Sequence, residues 1–193
     1  MSKIFDFSFR RMNLIDSKLW DLCIKGDIDA FQELYDRFYP VMYNYGIKLT
    51  QNKETVKDCI HDLFIKIIKN HRKLSPTDHL KSYLIKSFRN LLYDLLEKQK
   101  TTDDISDYEN EFTVDDLFSS LFGEEYTSDA DTEYLKKAMK TLPSHQQEIL
   151  YLHFVNGLKH EEIAAVLGIN YQSSKNLLFR SLSKLRRLFE NRE

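Results

Sequence analysis

Apolar residues recur at steps of three and four along most of this chain, which is the pattern of amphipathic α-helices. The first set lies within 17–24, and residues 25–27 interrupt it. A longer set follows Asp27, a candidate N-cap, and its period continues across Pro40, which indicates a kink rather than an end. Two more sets occupy 53–70 and the stretch that starts at Leu80. The predicted buried faces of these two helices are Val56, Ile60, Leu63, Phe64, Ile67 and Ile68, then Leu80, Tyr83, Leu84, Ser87, Phe88, Leu91, Leu92 and Leu95.

A second helical block begins at residue 134. Of its last two helices, the first is short and the second is long, and the turn Gly168-Ile169-Asn170 joins them. Two helices joined by a three-residue turn that contains glycine are typical of a helix-turn-helix module, and Gly168 can supply a positive φ there. Gly and Pro number only 5 and 3 in the chain, which favours helices over strands. We therefore predict an all-α protein with two small helical domains, 14–100 and 134–193.

Charge divides the chain in the same way. Residues 1–100 carry 18 Lys/Arg and 13 Asp/Glu, and residues 134–193 carry 10 and 5. Between them, residues 101–133 hold 12 Asp/Glu and no Lys or Arg. A block of one charge sign is typical of a solvated spacer or an interaction tail. We predict an acidic flexible linker at 101–133, with a short helix possible at 114–122.

The last helix has two faces. The period predicts that Ser174, Leu178, Ser181, Leu185 and Leu188 face inward. Recognition helices read base edges with their N-terminal residues, and Gln, Asn, Lys, Arg and Phe are residue types suited to bases and thymine methyls. Lys184, Arg186, Arg187 and Arg192 suit the phosphate backbone. The residues left facing outward near the helix start are Gln172, Ser173, Lys175, Asn176, Phe179 and Arg180.

Other chemistry is sparse. No Gly-rich phosphate loop, zinc spacing or nucleophile motif appears, and the six His show no ligand spacing with Cys23 and Cys59. We expect no catalysis, no metal and no cofactor, and two buried, reduced thiols. Without a long apolar stretch or a signal core, we expect a cytoplasmic protein that does not insert into membranes.

The chain also resembles a known family. The segment LPSHQQEILYLHFVNGLKHEEIAAVLGINYQSSKNLLFRSLSKLRRLF is similar to region 4 of bacterial sigma factors. Region 2 of the same family is similar to three earlier segments, AFQELYDRFYPVMYNYG, VKDCIHDLFIKIIK and LKSYLIKSFRNLLYDLL. The last of them contains Arg89-Asn90 and Asp94, which match the family's signature. The two regions stand in the family's order, about thirty residues apart. The chain resembles a compact member of the sigma-70 family, in the extracytoplasmic-function (ECF) group.

The resemblance implies partners and contact residues. Core RNA polymerase would be contacted at the β′ clamp helices and the β flap, with promoter DNA and an anti-sigma factor as further partners. The loop from Leu74 to Leu80 would take a flipped base of the −10 element, and the outward face of the last helix would read the −35 element. The residues implied for the clamp helices are Asp58, Asp62 and Lys66. Those implied for the −10 element are Leu74, Ser75, Lys86, Arg89 and Asn90.

Some positions depart from the family pattern, and alternatives stay open. Tyr83 replaces a usual Trp, Leu74 stands where an aromatic is common, and Ser174 and Ser181 replace a usual Val and Ala. Asp58, Asp62 and Lys66 follow one another at steps of four on the helix at 53–70, and this charged row also fits an ordinary solvated face. The helix-turn-helix spacing also fits a bundle that binds protein. A free-standing helix-turn-helix regulator that acts without polymerase is the alternative function.

Overall fold

The computed structural model describes residues 15–100 and 130–190. These residues form two compact units, one in each half of the chain. All regular elements in both described ranges are helical, so the expectation of an all-α protein is confirmed. The predictions of an acidic linker, for most of its length, and of a helix at 114–122 fall outside the described residues.

The described part of the first unit comprises four α-helices and one short 3-10 helix. Two helices begin at side-chain caps: Asp27 Oδ1, the predicted cap, accepts a hydrogen bond from the Ala30 amide at 3.0 Å, and Asn52 Oδ1 accepts one from the Thr55 amide at 3.1 Å. Pro40 lies inside the second helix, which continues past it as predicted. The elements are α1 (Asp16–Ile24), α2 (Ile28–Leu49), α3 (Lys53–Asn70), the 3-10 helix (His71–Lys73) and α4 (Leu80–Lys100).

A close approach of helices fixes the centre of this unit. A Cβ added at Gly46 of α2 would lie 2.7 Å from both Phe88 Cζ and Val56 Cγ1. Only glycine therefore lets α2 lie against α3 and α4 at this point. Cys59 is fully buried beside them and donates to the Phe88 carbonyl at 3.8 Å.

Two of the predicted buried positions are wrong. Ile68 is 45% exposed and Tyr83 is 37% exposed, whereas Ile85, which was not predicted to be buried, is 0% exposed. Successive helical residues are separated by about 100°, so Ile68 lies at the margin of the stripe centred on Ile67. In α4 the buried arc is rotated toward Ile85, because its position depends on where α1 and α3 pack.

Residues 130–190 of the second unit form four α-helices, of which the last packs against the other three. Its first helix begins at residue 130, before the predicted domain start at residue 134. Ile149, Leu152 and Ile163 are 0% exposed and form its core. The elements are α5 (Ala130–Lys140), α6 (Ser144–Leu150), which continues as a π-helical turn (Tyr151–Val155), α7 (His160–Leu167) and α8 (Tyr171–Glu190).

Candidate nucleic-acid interface

The turn between α7 and α8 has the geometry that a helix-turn-helix requires. Gly168 ends α7 with φ +68°, and a Cβ placed there would meet nothing within 4 Å. Glycine is therefore favoured by the left-handed backbone and not by crowding. Asn170 then caps α8, since its Oδ1 accepts from the Ser173 amide at 2.7 Å and its carbonyl accepts from the Ser174 amide at 3.0 Å.

The inner face of α8 is held by polar as well as apolar contacts. Ser174 and Ser181 are both 0% exposed, and Leu178 lies buried between them. The Ser181 hydroxyl donates to the Leu177 carbonyl at 2.8 Å, and Ser174 Oγ lies 3.2 Å from His160 Nδ1 of α7. Both buried hydroxyls therefore have partners, as buried polar groups require. Leu185 and Leu188, predicted to face inward, are only half-buried.

The outer face of α8 presents five of the six predicted residues to solvent. Phe179 is 72% exposed, an unusual position for a large aromatic. Gln172 Nε2 donates to Asn176 Oδ1 at 3.1 Å, which aligns the two amides along one line of the helix. Ser173 differs from the prediction: it is half-buried, because it lies at the edge of the face beside its cap. The exposed members of the set are Gln172, Lys175, Asn176, Phe179 and Arg180.

Beyond this face, the basic residues of α8 do not all point to solvent. Arg186 and Arg187 are exposed as expected for phosphate contacts. Lys184 instead donates from Nζ to the Thr141 carbonyl at 3.2 Å, so in this structure it holds the end of α5. Arg192 lies outside the described residues.

In the first unit, the loop that joins α3 to α4 is attached to α1 at two points. The indole Nε1 of Trp20 donates to the Ser75 carbonyl at 2.9 Å, and His71 Nδ1 lies 2.9 Å from the Ile24 carbonyl. Leu74 is half-buried and the Ser75 residue is exposed. The loop therefore presents Ser75 on a backbone that α1 holds in place.

One face of α4 carries the other predicted −10 residues. Lys86 and Asn90 are exposed one turn apart, and the Arg89 guanidinium lies 4.5 Å from the centre of the Tyr93 ring. Tyr83 lies one turn before Lys86, with its ring tilted on Trp20 at 5.5 Å. The apolar period assigned Tyr83 to the core. The structure adds it to this surface as a partly exposed aromatic.

The charged row on α3 is exposed as predicted. Asp58, Asp62 and Lys66 all lie on the outer side of the helix. Two isoleucines of the same helix are also partly exposed, which the pattern did not indicate: Ile65 is 47% exposed and Ile68 is 45% exposed. Exposed apolar residues next to charges are typical of protein-binding surfaces.

An apolar cleft adjoins the same helix. It has a volume of about 320 Å³ and opens between the start of α2 and the end of α3. Ile28 stands at its edge, 81% exposed. The cleft is lined by Gly26, Ile28, Phe31, Gln32, Tyr35, Phe64, Ile68 and His71.

Neither thiol belongs to an exposed site. Cys23 and Cys59 are free and buried, as predicted. Burial raises the pKa of each thiol from 9.0 to about 12, and the nearby carboxylates make smaller contributions, Asp27 to Cys23 and Asp62 to Cys59.

Within 15–100 and 130–190, no three His, Cys, Asp or Glu side chains converge as metal ligands. The described helices include none with the length and apolarity to cross a bilayer.

Comparisons with known proteins agree with this geometry. The family model described as sigma-70 region 2 matches residues 34–102, and that for sigma-70 region 4 matches residues 132–185. The ECF RNA polymerase sigma factor BldN of Streptomyces coelicolor is 26% identical over 84% of this chain and 61% of its own length. The sigma factor SigV of Bacillus subtilis is 28% identical over 77% of this chain and 82% of its own. The match therefore spans about three fifths of BldN.

Two solved structures share the fold. CnrH, in complex with the cytosolic domain of CnrY, has a TM-score of 0.61 at 17% identity and covers 93% of this chain and 100% of its own. RpoE of Bartonella quintana, in complex with the anti-sigma factor NepR, has a TM-score of 0.57 at 19% identity, with 86% and 100% covered. Because two consecutive regions of one family match in order and together span more than half of the residues, the chain belongs to the sigma-70 family, in its ECF group.

Proposed function

We propose that this protein is a promoter-specificity subunit of RNA polymerase, which directs the core enzyme to promoters by recognising −35 and −10 elements and helps to melt the −10 region. The observation that carries the proposal is the exposed outer face of α8 behind a glycine turn, in a chain of the sigma-70 family. The protein itself would perform no chemical reaction. It would act where the polymerase acts, in the cytoplasm.

The second unit would read the −35 element. Gln172 and Asn176 offer amides that suit adenine, Lys175 and Arg180 suit guanine or phosphate, and Phe179 suits a thymine methyl. Ser173, half-buried at the helix start, would contact a phosphate or base edge from the margin. Because single modules of this size bind DNA weakly, polymerase would supply the second contact and fix the distance between the two readers.

The first unit would read and open the −10 element. Leu74 and Ser75 in the α3–α4 loop would receive an unstacked base, and Lys86, Arg89 and Asn90 would contact the duplex just upstream. Unstacking a base costs on the order of a few kcal/mol, which a pocket and stacked side chains can offset.

A third surface would bind the core enzyme. The exposed row of Asp58, Asp62 and Lys66 would pack on the β′ clamp helices, and the partly exposed Ile65, one turn after Asp62, would supply apolar contact area. Apolar area beside complementary charge combines affinity with orientation. Faces of the second unit other than the DNA-reading face would bind the β flap.

An anti-sigma protein is proposed as a further partner. The two similar structures were determined as complexes, CnrH with the cytosolic domain of CnrY and RpoE with the anti-sigma factor NepR. A protein that covers the polymerase-binding surface of this chain would keep it inactive until a signal releases it.

Run-off transcription with purified core polymerase on genomic fragments tests the proposal. We expect discrete transcripts only when both proteins are present. A gel shift without core enzyme is the second arm: tight, sequence-specific binding by the chain alone would identify a free-standing regulator. Failure to bind core enzyme and to start transcripts would refute the proposal.

The polymerase surface can be tested by charge reversal. Asp62 is exposed, so Asp62→Lys should fold normally. If Asp62 meets a cation of the core enzyme, the change should lower the affinity for core enzyme at least tenfold, since like charges placed opposite each other in an interface cost several kcal/mol. Asp21→Lys on α1 is the matched control, because Asp21 is also an exposed helical aspartate. Equal core affinity for the two variants would show that α3 does not form this contact.

A further inference from the structure

The α3–α4 loop does not hold its shape by itself. Between the 3-10 helix and α4, residues 74–79 form no regular structure. Within the loop, the His79 amide donates to Thr77 Oγ1 at 3.1 Å, and the Leu74 amide donates to the His71 carbonyl at 3.1 Å. These bonds set the two ends of the loop. Its middle, at Ser75, depends on a contact from elsewhere in the chain.

That contact comes from a buried side chain of α1. Trp20 is 1% exposed, and its only polar group, the indole N–H, donates to the Ser75 carbonyl at 2.9 Å across 55 residues of sequence. The bond also satisfies the Trp20 N–H, which would otherwise be buried without a partner. The indole ring also packs against the Tyr83 ring, with the two ring centroids 5.5 Å apart, on the α4 surface that follows the loop.

A second contact from α1 fixes the start of the loop. His71 Nδ1 lies 2.9 Å from the carbonyl of Ile24, the last residue of α1. A Cβ added at Gly26, which has φ +86°, would lie 2.9 Å from His71 Cε1. The short connection after α1 is therefore shaped around the His71 ring, and α1 contacts the loop at both its start and its middle.

We propose that Trp20 is a positioning residue for base recognition: its N–H fixes the backbone at Ser75, and its ring fixes Tyr83, so that both are held in the conformation that receives the unstacked −10 base. This inference rests on the proposed function of the loop. It assigns a role in DNA selectivity to α1, which itself presents none of the residues implied for DNA. Because the loop is held before DNA binds, the complex forms without the entropy cost of ordering it.

The experiment measures selectivity among −10 sequences, because a displaced loop changes this selectivity whereas a general loss of folded protein does not. Holoenzyme is reconstituted with the full chain, and the amount of open complex is measured on one promoter and on each of its single-base −10 variants. A partly unfolded subunit lowers the amount of open complex on every promoter by the same factor, so the ratios between promoters stay unchanged. A displaced loop lowers the ratio of the preferred promoter to its variants.

Two changes remove the N–H. Trp20→Phe removes it with part of the ring. Since Trp20 is the only tryptophan of the chain, biosynthetic replacement of tryptophan by β-(3-benzothienyl)alanine exchanges the N–H for sulfur at this one position and keeps the ring shape. We expect either change to lower the −10 ratio about fivefold, the contribution of one neutral hydrogen bond. Discrimination at the −35 element should be unaffected.

Phe38→Leu, at a buried core position of α2, is the control for general loss of packing. It should lower the amount of active protein and leave the −10 ratio intact. Unchanged ratios in both Trp20 variants, while the wild type discriminates, would overturn the positioning role and leave the proposed function standing. An equal drop in the Phe38 variant would also overturn it. A wild type that does not discriminate −10 bases would refute the proposed function first, and this inference with it.

Discussion

Replacing Phe179 by alanine separates stability from recognition. The side chain is 72% exposed in α8, so only about a quarter of it is buried within the protein. Full burial of a Phe side chain contributes about 1.5–3 kcal/mol, so its removal should cost the fold less than about 1 kcal/mol. Alanine is the better helix former by roughly 0.5 kcal/mol. We therefore expect the free energy of unfolding to change by no more than about 0.5 kcal/mol.

The same substitution should lower the affinity for promoter DNA, and by more than it changes the stability. If Phe179 packs on a base edge, DNA covers the part of the ring that solvent contacts in the free protein. Burial of that part is worth about 1–2 kcal/mol, which corresponds to a roughly 5- to 30-fold loss of affinity for a promoter with the preferred −35 element. Because no phosphate contact is lost, the dependence of affinity on salt should keep its slope.

The assay is competition of holoenzyme between a promoter with an intact −35 element and one with that element substituted, both with the same −10 element. Urea unfolding of the free chain gives the stability in parallel. Phe154→Ala is the matched control, because Phe154 is 48% exposed in the same unit but lies on the π-helical turn after α6. It should leave the ratio between the two promoters unchanged.

Two results would refute this reasoning. An unchanged promoter ratio in Phe179→Ala would mean that the exposed ring does not read DNA. A loss of stability of several kcal/mol would mean that the ring is packed against the protein, and the affinity change could then no longer be assigned to the DNA contact.

Three further predictions concern the fold and its buried thiols. Gly168→Ala should lower the free energy of unfolding, measured in urea, by about 1 kcal/mol, because alanine disfavours the left-handed backbone. Gly46→Ala should lower it more, by about 1–3 kcal/mol, because the added methyl group would overlap the packed core. Equal losses in the two variants would contradict this account. Cys23 and Cys59 should resist alkylation in the native protein at pH 8 and react fully in urea, which mass spectrometry can follow. Because both pKa values are raised from 9.0 to about 12, the stability that the neutral thiols contribute is fully present below pH 9 and lost as pH rises toward 12; constant stability over this range would contradict it.

Features that depend on neighbours within one or two helical turns were predictable from the residues alone. The cap at Asn52, the glycine turn at Gly168 and the inward face of Ser174, Leu178 and Ser181 follow from local backbone geometry and a period of 3.6 residues. The exposed residues of the outer face follow from the same period. Most of the candidate DNA-reading surface could therefore be identified without coordinates.

The tertiary structure decided how each helix is rotated against its neighbours. Ile68 and Tyr83 were assigned to the core by their period, yet both are partly exposed, because the width and centre of a buried stripe depend on which helices pack on it. Lys184 suited a phosphate by residue type, but the end of α5 offers it the Thr141 carbonyl. Such outcomes depend on residues far apart in the chain.

The contact between Trp20 and Ser75 is the clearest case. A tryptophan in an apolar stripe indicates only burial, and its polar N–H requires some partner without specifying one. The partner lies 55 residues away, and α1 must pack beside the α3–α4 loop before the two groups meet. The sequence by itself determined the helical elements, the approximate direction of their apolar faces, and the family. Packing determined which surfaces remain exposed and how the loop at Ser75 is held, because these properties depend on long-range contacts that no local period encodes.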